Sequence, residues 1–291
     1  DRAGSISNGA YDSGSSSETL NLGNDFRVLN NAGELLSLHN SLDLALDAVS
    51  GDAGGGSTDL TIAIADGTTV GTVTSSVTEG LTIQGSGTTD AATLTTTLAI
   101  DQASITIEGL RFDLSSGTTG ITVNSAGSGA VINDSAFIGS GAGSGDLGIE
   151  ATAADAAITV SNSDFNALDT GIKLAQDYAV AANLTGNTFA SSTTGVLIDG
   201  ATASGDIDVA SSVFVNNTIG VNIDDSGSYA ADADIRVLRN QFDVPASSGG
   251  TTPDGVSTQG NAFSGGDAIT DALGNSLKFN EFTVADGSGD A

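Results

Sequence analysis

The chain has 291 residues, of which 36 are acidic and 7 are lysine or arginine, so its formal net charge is −29 at pH 7. This charge repels nucleic acids and anionic membrane surfaces and excludes both as partners. Cysteine is absent and histidine occurs once, which excludes disulfide frameworks, zinc–thiolate centres and most histidine chemistry. No apolar run is long enough to span a membrane. A hydrophobic fraction of 38% still predicts a folded protein.

The first 34 residues are polar and fit no later pattern. Only the stretch around Phe26–Leu29 is strand-like. We interpret residues 1–34 as an N-terminal extension and a candidate strand between subunits. Because residue 1 is aspartate, we expect either that a signal peptide has been removed or that the sequence is part of a longer chain.

Residues 35–57 predict the one helix of the chain and the loop that follows it. Apolar residues recur at spacings of three and four from Leu35 to Val49, which is typical of one helix face. Asn40 or Ser41 is the predicted N-cap, and Gly51 ends the helix. The pattern includes His39, which we expect to be a surface residue of this helix.

From residue 58 the apolar period changes to two, the period of a strand. Phenylalanine then recurs every 24 to 28 residues, with apolar residues seven and five positions before it. A glycine follows each phenylalanine, and apolar residues lie one and three positions after most of these glycines. Two inward-facing strands per unit predict a solenoid whose coils stack about 4.8 Å apart. The repeated residues are Phe112, Phe137, Phe165, Phe189, Phe214 and Phe242, followed by Gly120, Gly148, Gly171, Gly195, Gly220 and Gly255, with a partial copy at Leu277 and Phe282 after an insertion at 244–276.

Four segments resemble the N-terminal part of the pectate-lyase-like superfamily: SLDLALDAV at 41–49, LTIAIADGTTV at 60–70, LTIQGSG at 81–87 and ITIEGLRF at 105–112. The resemblance implies an all-β fold, a right-handed single-stranded parallel β-helix with a short N-terminal capping helix. The predicted β-helix occupies residues 58–291. The resemblance implies no single activity, since the superfamily includes lyases, hydrolases, phage tailspikes, adhesins and surface proteins.

The resemblance also specifies what a hydrolase of this superfamily carries on successive coils: Asn-x-Asp, Asp-Asp, Gly-His-Gly and Arg-x-Lys. This chain has Asp224–Asp225 but no histidine in the coils, and neither Arg236 nor Arg239 is followed by the required lysine. The hydrolase set is therefore absent.

A polysaccharide lyase is the enzymatic alternative. The repeat places Asp206 beside Asp234 and Asp208 beside Arg236, all on outward positions. Two carboxylates about 5 Å apart need screening or a bridging cation such as Ca²⁺. In this alternative Arg236 is the catalytic base, and Asp208 and Asp234 are its partners. The other interpretation is an ordinary ion pair between coils.

Other charged residues give weaker signals. Glu150 and Lys173 also fall on equivalent outward positions, which shows that such pairs arise without an active site. Asp199 and Asp224 lie one coil apart and are a second weak calcium candidate beside Asp206 and Asp234. The spacing of an EF-hand is missing, so we expect a solvated acidic face and no cofactor, with calcium as the alternative.

The composition and the ends of the predicted β-helix favour a structural function. Excess aspartate keeps a protein hydrated in high salt, which indicates a marine or halophilic source and a secreted, cell-surface location. The last coil carries no evident cap, and an open coil exposes hydrogen-bonding groups. We therefore expect a non-enzymatic subunit of an extracellular filament or surface layer that polymerises end to end. The alternative is a glycan-binding or lyase β-helix, similar to an adhesin or tailspike, with its site near Asp206–Arg236.

Overall fold

The computed structural model describes residues 5–7, 10–12, 20–21, 25–51, 60–73, 81–85, 91–101, 104–115, 117–124, 129–152, 157–175, 181–199, 206–224, 235–244, 254–259, 276–278 and 280–284. The first three segments form a small antiparallel sheet of β1 (Ser5–Ser7), β2 (Ala10–Asp12) and β3 (Leu20–Asn21). All other strands belong to three longer sheets, which we number 1 to 3.

Sheet 1 contains eleven strands, and nine of them run parallel to one another along the repeat. The other two, β4 and β5, lie at its N-terminal end. The strands are β4 (Phe26–Leu29), β5 (Leu35–His39), β6 (Leu60–Ile64), β8 (Leu81–Gln84), β11 (Thr106–Glu108), β14 (Ala130–Asn133), β17 (Ile158–Ser161), β20 (Ala182–Thr185), β23 (Ile207–Ala210), β26 (Ile235–Leu238) and β29 (Ser276–Lys278).

Sheets 2 and 3 are entirely parallel. Sheet 2 consists of β7 (Thr69–Val70), β9 (Thr93–Leu94), β12 (Arg111–Asp113), β15 (Ala136–Ile138), β18 (Asp164–Asn166), β21 (Thr188–Ala190), β24 (Val213–Val215), β27 (Gln241–Val244) and β30 (Glu281–Val284). Sheet 3 consists of β10 (Leu98–Ile100), β13 (Thr119–Val123), β16 (Leu147–Ala151), β19 (Thr170–Leu174), β22 (Thr194–Asp199), β25 (Ile219–Asp224) and β28 (Asp254–Gln259).

These sheets form a parallel β-solenoid, which confirms the predicted fold class. From β11 to β28 each coil contributes one strand to sheet 1, one to sheet 2 and one to sheet 3, and each strand pairs with its counterpart in the neighbouring coil. The strands β29 and β30 then continue sheets 1 and 2. The predicted register is also correct: Phe137 pairs with Phe165, and Ile149 pairs with Ile172. Alternate residues along each strand are buried, as the period of two requires.

A column of phenylalanine rings fills the interior beside sheet 2. Successive rings lie 4.7–4.8 Å apart, with interplanar angles of 12° or less. The repeated glycine of sheet 3 leaves room for this column: a Cβ on Gly171 would lie 2.5 Å from the carbonyl oxygen of Gly195 and 2.7 Å from Cδ1 of Phe189. The repeat therefore requires glycine at this position, because any side chain there would overlap the phenylalanine column.

A hydrogen-bonded ladder of small polar side chains runs along the corner between sheets 1 and 2. The Ser163 N–H donates to Oδ1 of Asn187 at 3.0 Å, and the Asn187 N–H donates to Oγ of Ser212 at 3.1 Å. A single residue with positive φ directly precedes each ladder residue from Ser135 to Asn240 and turns the chain. The ladder residues are Ser135, Ser163, Asn187, Ser212, Asn240 and Asn280.

The N-terminal end is covered by the helix α1 (Leu42–Gly51) and by β4 and β5. Ser41 caps the helix, because its Oγ accepts from the Leu44 N–H at 3.2 Å. The sequence pattern was wrong about residues 35–39, which form β5 rather than helix, so His39 lies in a strand. Its Nε2 lies 2.8 Å from the hydroxyl oxygen of Ser37.

The structure also tests the assignments of Phe26–Leu29 and of the predicted insertion. The strand β4 pairs with β5 on one side and with β6 on the other. Phe26–Leu29 therefore belongs to the cap of its own chain, so this stretch is not a strand between subunits. Within the predicted insertion at 244–276, the strand β28 continues sheet 3 in register with β25, as the repeated Gly255 predicts.

Candidate functional site

The predicted contact between Asp208 and Arg236 exists on the outer face of sheet 1. The two residues are partners in the parallel register of β23 and β26. Nε of Arg236 donates to Oδ1 of Asp208 at 2.5 Å, and Nη2 donates to Oδ2 at 2.7 Å. Nη2 also lies 2.9 Å from Oδ2 of Asp206, a contact that the repeat did not predict. Arg236 is thus held between two carboxylates.

The second carboxylate follows from strand geometry. Asp206 directly precedes β23 and lies two positions before Asp208, so both side chains are on the same face of the sheet. Arginine presents several donors in one plane and can bind both. The sequence therefore contained the signal, in the spacing Asp-x-Asp with an arginine one coil later.

A shallow groove of about 340 Å³ lies beside this triad. It runs across the starts of several strands of sheet 1, and Thr159, Asn183, Asp206, Asp208 and Arg236 provide its polar lining. The side chains of the triad are between 29% and 44% exposed. The site is therefore an open surface feature rather than an enclosed pocket.

The geometry of the triad favours charge neutralisation over proton abstraction. An arginine acting as a base must lose a proton, and two adjacent carboxylates stabilise its charged form instead. Asp234, the remaining member of the predicted set, lies outside the described residues.

A second ion network lies on sheet 3. Nζ of Lys173 is 3.3 Å from Oε1 of Glu150, its predicted partner in register. The same Nζ is 3.6 Å from Oδ2 of Asp199, a contact that the sequence did not predict. Asp199 and Asp224 are partners in the backbone register of β22 and β25, as the repeat predicts. In both networks one cation contacts two carboxylates: Arg236 contacts two from the preceding coil, and Lys173 contacts one from the coil on each side.

Among the described residues, one carboxylate is fully buried. Asp146 lies in the turn before β16 and accepts from the Ser140 N–H at 2.6 Å and the Ser140 hydroxyl at 3.2 Å. It also accepts from the Gly117 N–H of the preceding coil at 3.3 Å. Asp146 thus joins two coils through hydrogen bonds. Within the described part of the chain, no three acidic or histidine side chains form a group that could hold a metal ion.

The two ends of the solenoid carry the most distinctive exposed features. At the N-terminal end β5 is the last strand of sheet 1 among the described residues, and its Leu35 and Leu36 are 49% and 51% exposed. Leu44 on the neighbouring helix is 49% exposed. At the other end β28, β29 and β30 are the outermost strands of the three sheets, and none has a further partner strand among the residues that the structure describes.

Comparisons with protein-family profiles, with curated proteins and with solved structures found no match. Among the described residues no helix is long and apolar enough to cross a membrane.

Proposed function

We propose that this protein is a structural subunit of an extracellular filament or surface layer and that its copies associate end to end. The observation that carries the proposal is the set of outermost strands at the C-terminal end. The strands β28, β29 and β30 each pair with the preceding coil on one side, and none has a described partner on its other side. An edge of this kind is a template for another chain.

The surface between the two ends supports the same proposal. Its best-defined charged groups, around Arg236 and Lys173, are ion networks in which each cation is already bound by two carboxylates. The excess of acidic residues keeps the sides of such polymers apart and hydrated, and salt screens the repulsion. This composition suits a secreted protein at the surface of a cell in a saline environment.

Electron microscopy of the purified protein over a range of salt concentrations tests this function. We expect unbranched polymers, because a head-to-tail contact that does not close into a ring produces a filament. Analytical ultracentrifugation of the same samples provides the mass distribution. A protein that remains monomeric at high concentration and high salt would contradict the proposal.

The groove beside Arg236 supports a second candidate function, the binding of a glycan. Its volume of about 340 Å³ and its lining of hydroxyl, amide and carboxylate groups suit a short neutral or amino sugar chain. Calorimetry with neutral and acidic oligosaccharides tests it. Binding that is abolished by Asn183→Ala would favour this candidate, whereas the absence of heat with every sugar would remove it.

A further inference from the structure

The strands at the two ends of sheet 1, β5 and β29, run in the same direction. The strand β4 runs antiparallel to β6, and β5 runs antiparallel to β4. Two reversals restore the original direction, so β5 runs parallel to β6 and to every later strand of sheet 1, including β29. The cap therefore ends in a strand with the polarity of an ordinary coil strand.

The charges at the two ends of sheet 1 are opposite. In a chain with only seven basic residues, Arg236, Arg239 and Lys278 all lie in or directly after its last two strands. Residues 235–240 and 276–278 contain no acidic residue. The cap, residues 25–51, has four acidic residues and one arginine. Although Asp206 and Asp208 already bind Arg236, these strands carry less negative charge than the rest of the chain. The repulsion between copies is therefore weakest where this end meets the cap of another.

Individual residues favour contact between the two different ends over contact between two like ends. Lysine on an edge strand discourages pairing with a similar basic edge, but it favours an acidic one. On the cap, Glu34 directly precedes β5, and Asp47 is exposed on α1 next to it. The exposed Leu35, Leu36 and Leu44 provide apolar area that a second copy would bury.

From these observations we infer that the cap strand β5 of one copy pairs in parallel with β29 of the next copy, so that sheet 1 continues from subunit to subunit. This inference rests on the proposed function and specifies its interface. Each subunit adds eleven strands to the continuous sheet, so the axial repeat of the polymer is about 53 Å at the usual strand spacing. The partner is a second copy of this chain in head-to-tail orientation.

Engineered cysteines test the contact without disulfides from native thiols, because the chain contains no cysteine. One preparation carries Leu38→Cys on β5, and another carries Ser276→Cys on β29. We expect a disulfide-linked dimer when the two are mixed under mild oxidation and little dimer from either alone, because the contact joins different surfaces. Scanning positions 35–39 against 276–278 covers every register that pairs residues of β5 with residues of β29. The matched control is Thr82→Cys mixed with Thr159→Cys, both on outward positions of inner coils.

The outcomes separate the interface from the function. Polymers seen by microscopy without a mixture-specific dimer, at any pair scanned, would overturn the β5–β29 contact and leave end-to-end assembly intact. The absence of polymers would overturn both.

A second experiment uses Leu36→Lys, which places a positive charge on β5 opposite the basic β29 and removes exposed apolar area without touching the core. We expect it to reduce polymer mass at least tenfold with an unchanged melting temperature, whereas Asn166→Lys, on an exposed position of sheet 2, leaves polymer mass unchanged. Equal polymer mass in both variants would contradict the inference.

Discussion

The inner coils of the solenoid and its two ends are built from the same residue types, but their environments differ. In the inner coils each ring, glycine and ladder side chain has an equivalent neighbour on both sides. At the N-terminal end the cap takes the place of one neighbouring coil. At the C-terminal end no further coil is described. Stability in such a repeat is a sum over neighbouring coils. The difference indicates that the inner coils provide stability and that the ends are the places for interaction.

The largest expected effect comes from interrupting the phenylalanine column. Phe165 is 1% exposed and stacks on Phe137 and Phe189. We expect Phe165→Ala to lower the free energy of unfolding by about 4 kcal/mol, because it removes a large buried side chain and leaves a cavity between two coils. Urea denaturation followed by circular dichroism measures the change. Phe165→Leu is the control and should lose about 1 kcal/mol. Equal losses would show that ring stacking, rather than the filling of buried volume, provides the stability, and would contradict this explanation.

Two glycines show that an inner coil is packed more closely than an end coil. A Cβ on Gly171 would meet backbone and ring atoms at 2.5–2.9 Å, whereas a Cβ on Gly71 in the first coil would have its nearest neighbour at 3.9 Å. We expect Gly171→Ala to cost about 3 kcal/mol of unfolding free energy through overpacking. Gly71→Ala should change it by less than about 0.5 kcal/mol. Melting temperatures of the two variants provide the comparison, and similar values would contradict the packing account.

The polar ladder offers a matched pair of asparagines. Asn187 is 1% exposed, accepts from the Ser163 N–H and donates to the Val160 carbonyl at 2.9 Å. Asn280 makes the same two bonds to the preceding coil, with Asn240 and Val237, but is half-buried. We expect Asn187→Ala to cost about 2 kcal/mol, because it leaves buried backbone groups without partners. Asn280→Ala should cost about half as much. Chemical denaturation of both variants tests this order, and the reverse order would refute it.

The sequence was sufficient to predict the solenoid and its register. The period of two, the spacing of phenylalanine and the downstream glycine placed Phe165 against Phe189 and Glu150 against Lys173, as found. These features are predictable because a one-residue slip would move every apolar side chain to the outside. The pairing of Asp208 with Arg236 followed from the same register.

The cap and the corners were less predictable. Leu35 and Leu38 fit a helical spacing, yet antiparallel pairing with β4 determines their structure, and such long-range contacts override local periodicity. The ladder was also missed, because Ser and Asn at corners usually indicate turns and nothing in the spacing shows that their side chains bond to the next coil. For the charged groups, the repeat gave strand register but not the diagonal contact from Arg236 to Asp206.

The smallest expected effect concerns the triad on the outer face of sheet 1. Its side chains are 29–44% exposed, so water and salt screen the attraction. We expect Arg236→Gln to lower the free energy of unfolding by less than about 1 kcal/mol, and the loss to disappear at high salt. Arg111→Gln, which removes an exposed pair with Asp113 on an inner coil, is the control and should behave alike. A loss from Arg236→Gln that persists in high salt and exceeds that of the ladder variant Asn187→Ala would show that the triad, rather than the interior, holds these coils together. The exposed outer face would then contribute more to the free energy of unfolding than the buried interior, which is the opposite of what their burial predicts.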